Sequence, residues 1–100
     1  MTVSIYQLAK ELVDYIIEHW DDYVANIYHR DTIKLTKKHI IEIICTKYPE
    51  KCKVVKERRF YVNGVLSILY GIMDYEFRLR GFKVKKEKIG GDRTALYVSK

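Results

Sequence analysis

Proline occurs once and glycine five times in the 100 residues, and no segment is repeated or of low complexity. That excludes fibrous, linker-like and disordered classes and leaves a single folded domain, 1–100, with one modest core. Cysteine occurs twice, too seldom for a disulfide framework, and Cys45 and Cys52 lack the second Cys/His pair that a zinc site requires. His19, His29 and His39 do not follow metal-ligand spacing either. A glycine-rich phosphate loop, a nucleophile elbow and a close carboxylate pair are all missing. The expectation is a protein that is not an enzyme and that uses no cofactor, metal or small-molecule substrate. No apolar run approaches the ~20 residues of a membrane span, and residues 1–20 carry acids where a secretory signal is basic and apolar. This points to the cytoplasm and away from a membrane. Asn and Gln together number three beside abundant Ile and charged residues, a composition of the hyperthermophile kind.

What the chain has in excess is positive charge, a net +6, and it is unevenly placed. Residues 1–31 hold two basic against six acidic side chains, net −4, whereas residues 32–100 hold seventeen against seven, net +10. A hot habitat explains dense charge but not this asymmetry. A basic region joined to an acidic one reads as a polyanion-binding face with a second face turned away, and double-stranded DNA is the expected partner.

Ser4 and Gln7 form a capping box that opens a first helix. Ile5, Leu8, Leu12, Val13, Ile16 and Ile17 are its apolar face, and Trp20, Tyr23, Val24, Ile27 and Tyr28 continue the spacing, so the helix either runs on or bends near Asp21 and Asp22. This N-terminal helical region, 1–31, has two readings: it completes the core, or it forms a homodimer interface through Trp20, Tyr23 and Ile27. We carry the interface forward as the expectation. Thr32–Leu35 alternates like a short strand, and Thr36 is a good N-cap for a helix from Lys37 to about Lys47. Lys37 and Lys38 in its first turn oppose the helix dipole, which is tolerated where a phosphate sits, or they are simply solvated. Pro49 ends this helix and places a basic turn between about Tyr48 and Lys56.

A long helix follows, with Val62, Val65, Leu66, Leu69, Ile72, Met73 and Phe77 as its apolar stripe and Gly81 as its C-cap. Gly64, Ser67, Ile68 and Gly71 line another side of it. Two glycines inside a helix cost roughly 1 kcal/mol each relative to Ala, so a close approach is expected, from the first helix or from a second subunit; the intrachain contact is the one favoured. Two β-friendly runs, Phe82–Ile89 and Thr94–Val98, then flank the turn Gly90-Gly91-Asp92-Arg93 and carry Lys83, Lys85, Lys86, Lys88 and Arg93. Cys45 and Cys52 are either bridged or free. Cys45 sits among isoleucines, so free thiols are the expectation.

In order, then, residues 32–98 give strand, helix, turn, helix and β-hairpin. With Val62-Asn-Gly-Val-Leu-Ser-Ile-Leu69 and Arg80-Gly-Phe-Lys-Val84 at its junctions, this segment resembles the winged helix-turn-helix domains of small archaeal and archaeal-virus transcription regulators. The resemblance covers about two thirds of the chain. The last helix is a turn or more longer than usual in that family, and the linking turn is longer and more basic. It implies an α+β winged helix-turn-helix with an N-terminal helical extension, reading DNA through the long helix and holding it with the wing. The candidate DNA contacts are Lys37, Lys38, Lys53, Lys56, Arg58, Arg59, Tyr61, Asn63, Lys85, Lys86, Lys88 and Arg93. The implied function is sequence-specific transcription regulation by a homodimer. The alternative is a basic accessory subunit of a replication or transcription complex that uses the same fold for protein interaction.

Overall fold

The computed structural model describes residues 5–24, 28, 30–50, 52, 59–90 and 93–100, those at 59–66, 89 and 93 by their backbone alone. The fold is α+β, with one core shared between helices and one face of a three-stranded antiparallel sheet. In chain order the elements are α1 (Ile5–Glu18), a 3-10 turn (Trp20–Tyr23), β1 (Thr32–Leu35), α2 (Lys37–Lys47), α3 (Arg59–Leu79), β2 (Lys83–Gly90) and β3 (Arg93–Ser99). No helix among the described residues is long and apolar enough to cross a membrane.

On α1 the spacing Ala9, Leu12, Val13, Ile16 puts four side chains on one stripe, and all four are fully buried. The Ser4 side of the capping box lies outside the described residues. The helix does not run on towards Arg30. It closes at Glu18, where the His19 amide and the His19 Nδ1–H both donate to the Tyr15 carbonyl, at 3.0 and 2.9 Å.

The chain then turns inward and Trp20 enters the core. It is 7% exposed, its Nε1 donates to the Arg30 carbonyl at 2.7 Å, and its ring stacks on Phe82 at 5.3 Å. An indole whose N–H is satisfied is most stable with its apolar body buried, so Trp20 completes the core and is removed from the expected dimer interface. Tyr23 is half-buried and edge-on to His39 at 5.4 Å. Ile27 lies outside the described residues.

The sheet order is β1-β3-β2, both pairings antiparallel. Ile33 and Val84 lie opposite Val98, and Leu35 opposite Leu96, so these residues form the inner face. Thr32, Lys34, Lys83, Lys85, Tyr97 and Ser99 alternate onto the outer face. α2 begins directly after β1 at the N-cap Thr36 and buries Ile40, Ile43 and Ile44.

The stretch after α2 departs from the expected turn. Tyr48 is non-helical, but helical backbone resumes at Pro49 and Glu50 and is present at Cys52. Proline suits a first helical position because its missing N–H has no intrahelical partner there. The change of direction brings Cys45 and Cys52 to a Cα–Cα distance of 4.4 Å, and they are joined in a disulfide. The expectation of free thiols is therefore corrected. Ile43 and Ile44 take the buried positions of α2, leaving Cys45 half-buried at the rim, where its partner reaches it.

On α3, Leu69, Tyr70, Met73, Glu76 and Phe77 are buried. The helix ends in a Schellman motif around Gly81 (φ 89°): Gly81 N–H donates to the Arg78 carbonyl at 3.1 Å and Phe82 N–H to the Phe77 carbonyl at 3.0 Å. The Phe77 and Phe82 rings meet edge to face at 6.0 Å, the apolar contact that accompanies this motif. The close approach expected along Ser67, Ile68 and Gly71 is a second correction, while the surroundings of Gly64 lie outside the described residues. Nothing lies within 4 Å of where a Gly71 Cβ would be, and Ser67 and Ile68 are exposed, so α1 does not approach there. It packs instead against the Leu69–Met73–Phe77 side.

Candidate nucleic-acid interface

β1 runs from Thr32, opposite Ser99, to Leu35, opposite Leu96. α2 therefore starts at the end of the sheet that carries the hairpin tip. Lys37 and Lys38 occupy its first turn, Lys38 exposed and Lys37 half-buried. On the far edge, Lys86 and Lys88 lie opposite Leu96 and Thr94, both exposed. One strand separates the two edges, a lateral step of roughly 10 Å. Tyr70 Oη donates to the Thr94 carbonyl at 3.3 Å, which ties the middle of α3 to this same end. Burial raises the pKa of that hydroxyl to about 12, so it remains a donor at any working pH. Arg59 opens α3 eleven residues upstream of Tyr70, about 16 Å further in the direction of the tip.

The tip end thus gathers Lys37, Lys38, Lys86, Lys88 and the start of α3. Arg59, Tyr61 and Asn63 stand in the first turns of α3 and Arg93 opens β3, each described by backbone only. Lys53, Lys56 and Arg58 lie outside the described residues. Lys85 is not part of this group. Strand alternation puts it on the outer face with Lys83, and its Nζ pairs with Glu87 Oε1 at 2.9 Å, which raises its pKa. The lysines of β2 are therefore divided between two faces.

His39 adds no charge to the tip end. Its Nδ1 accepts the Thr36 N–H at 3.2 Å, reaching back from the third helical position to the N-cap. Burial lowers the imidazole pKa below 6.5; Glu42 opposes that shift, while Lys38 and Lys34 reinforce it. The ring is neutral at pH 7 and serves as part of a helix cap.

The outer face of the sheet holds a shallow depression lined by Thr32, Lys83, Val84, Lys85, Glu87, Tyr97 and Ser99. Thr32 Oγ1 and Ser99 Oγ are hydrogen-bonded at 3.2 Å, and Lys34 Nζ sits 5.9 Å from the Tyr97 ring centroid. The Lys34–Tyr97–Lys85 row was not singled out from sequence, because it depends on the β1-β3-β2 order. Among the described residues no group of His, Cys, Asp and Glu is placed to hold a metal ion.

The opposite end is arranged differently. Arg80 donates from Nη1 to Glu76 Oε2 at 2.7 Å and from Nη2 to Asp14 Oδ1 at 2.8 Å, joining α3 to α1. The hydrogen bond from Arg80 holds the Glu76 carboxyl below its usual range against the opposing effect of burial. Arg78 pairs with Asp74 one turn back and also donates to the Val84 carbonyl at 2.8 Å. These cations are structural.

Comparison with protein families, curated proteins and solved structures gives no match to this chain. Geometry and charge alone carry the functional reading.

Proposed function

We propose that the protein is a sequence-specific transcription regulator that binds double-stranded DNA through a winged helix-turn-helix. In this reading α2 and α3 are the helix pair, the β2–β3 hairpin is the wing, and the N-terminal helical region braces them from behind. The observation that carries it is the convergence of Lys37, Lys38, Lys86, Lys88 and the start of α3 on one end of the sheet. The β1-β3-β2 strand order supports it, since a winged fold places its first strand beside the returning strand of the hairpin. A helix N-terminus entering the major groove with a basic hairpin beside it supplies base readout from one element and phosphate contact from the other. The role is binding without catalysis, and the acting species is a homodimer on a two-fold-symmetric site.

The second reading, an accessory subunit of a replication or transcription complex, is favoured by one feature, the exposed apolar side of α3. Gel-shift titration of genomic fragments against random duplex decides between them. A regulator prefers its site by about 10³ or more, whereas an accessory subunit binds all duplexes alike with a steep salt dependence.

A further inference from the structure

α3 carries two apolar faces, and only one is covered by the described residues of its own chain. Leu69, Met73 and Phe77 meet α1 and the sheet, while Ile68, Tyr75 and Leu79 are 53%, 56% and 62% exposed, with half-buried Ile72 between them. Their spacing of four, three and four residues is that of a helix–helix seam. Gly71 lies on the same side with open space above it, and the helical register brings Gly64 there too. The face carries no net charge, because Asp74 on its edge is paired with Arg78. A polyanion has nothing to bind there.

We propose that this face is the seat of a second copy of the chain, with the two α3 helices packed antiparallel about a two-fold axis between Gly71 and Ile72. The pattern is self-complementary about that point. Inverting the stripe sets Leu79 over Gly64, Ile72 over Gly71 and Tyr75 over Ile68 of the partner copy, so that each larger residue meets a smaller one. Gly71, with open space above it, becomes the socket for Ile72, and Leu79 faces the backbone at Gly64. A two-fold axis requires one patch to fit itself, and this one does.

The two stripes bury roughly 700 Å² between them, and rim residues such as Ser67 and Arg78 extend that towards the lower bound of specific interfaces at about 1,200 Å². Resting on the DNA-binding reading, one further consequence follows: the two Arg59 positions come to lie about 37 Å apart along the shared axis, close to the half-site spacing of about 34–36 Å for one turn of duplex.

The test combines sedimentation with site-directed crosslinking. Cys45 and Cys52 are bonded to each other, so a thiol introduced by Ile72→Cys or Leu79→Cys meets only its own copy. In the antiparallel pair the two positions 72 are offset by about 1.5 Å along the axis and the two positions 79 by about 22 Å. Ile72→Cys should form an intermolecular disulfide under mild oxidation and Leu79→Cys should not. The unmodified chain should sediment as a dimer at tens of micromolar, and Leu79→Glu, which leaves the core untouched, should weaken the dimer at least tenfold. Crosslinking at both positions would overturn the antiparallel arrangement, and a monomer that crosslinks at neither would overturn the dimer. A dimer with these properties that ignores duplex DNA would leave this interface standing and remove the regulator reading.

Discussion

The two ends of the molecule use positive charge in opposite ways. At the end away from the hairpin tip, Arg80 is held by Glu76 and Asp14 and Arg78 by Asp74, and the stack of Trp20, Phe82 and Phe77 lies close by. At the tip end, Lys38, Lys86 and Lys88 are exposed and form no ion pair among the described residues. A cation committed to a partner fixes two elements together, whereas a solvated one remains available to a phosphate. The overall basicity is therefore less informative than which cations the fold itself consumes. Substitutions at the first end should act on stability and those at the second on binding.

The strongest way to probe that division is Phe77→Ala, which removes a fully buried ring between α1 and the Gly81 cap. It should cost about 3–5 kcal/mol in denaturant unfolding. Opening the Cys45–Cys52 bridge comes next. A closed loop of this length stabilises by roughly 2–3 kcal/mol in the chain-entropy model, so reductant should lower the melting temperature and thiol counting in denaturant without reductant should find none. Two titrated thiols would restore the free-cysteine reading.

These two sites also mark what the sequence could and could not reveal. The Phe77 stripe and the Gly81 cap are local patterns, set by helical spacing and by the need for positive φ, and both are legible in one dimension. The strand at Thr32–Leu35 with its cap at Thr36 is of the same kind. The disulfide is not, because it depends on helical backbone resuming at Pro49 immediately after Tyr48. Trp20 was misplaced for a related reason: its aromatic spacing fits an interface as well as a core, and its burial, its stacking on Phe82 and the hydrogen bond to the Arg30 carbonyl separate the two. The division of the β2 lysines is implicit in the alternation of the strand. Which face is which becomes visible once β3 lies between β1 and β2.

A finer test uses that division. Lys86→Ala and Lys88→Ala should each reduce the salt slope of DNA binding by about one and weaken all sequences alike, with stability changed by less than about 0.5 kcal/mol. Lys85→Ala, whose partner is Glu87 on the outer face, should change the slope less than either. Equal losses for all three lysines would place the DNA across both faces of the hairpin and erase the contrast between them.

The smallest effect expected is on pH. Because burial lowers the His39 pKa, the unfolded chain binds a proton there more readily than the folded one. The contribution is fully present above the ordinary value of 6.5 and is lost as pH falls through the depressed folded value. Glu76 behaves likewise from 4.5 downwards, where protonation removes the hold on Arg80. Melting curves from pH 8 to 3 should therefore decline in two steps, with His39→Gln removing the upper step and leaving the lower.

The central strand of the sheet is β3, the element that follows all others in sequence, and Thr32 finds Ser99 across 67 residues. No sheet can form until residues 93–99 pair with both β1 and β2, so until then α1, α2 and α3 have the sheet-facing side of their core uncovered. Closing so long a loop is slow compared with forming the helices, and until it closes Ile40, Leu69 and Met73, buried in the folded chain, lack the cover of the sheet. The hairpin at the end of the path thus acts as the closing latch of folding, and damage to β3 should appear as lost yield of soluble chain before it appears as lost affinity.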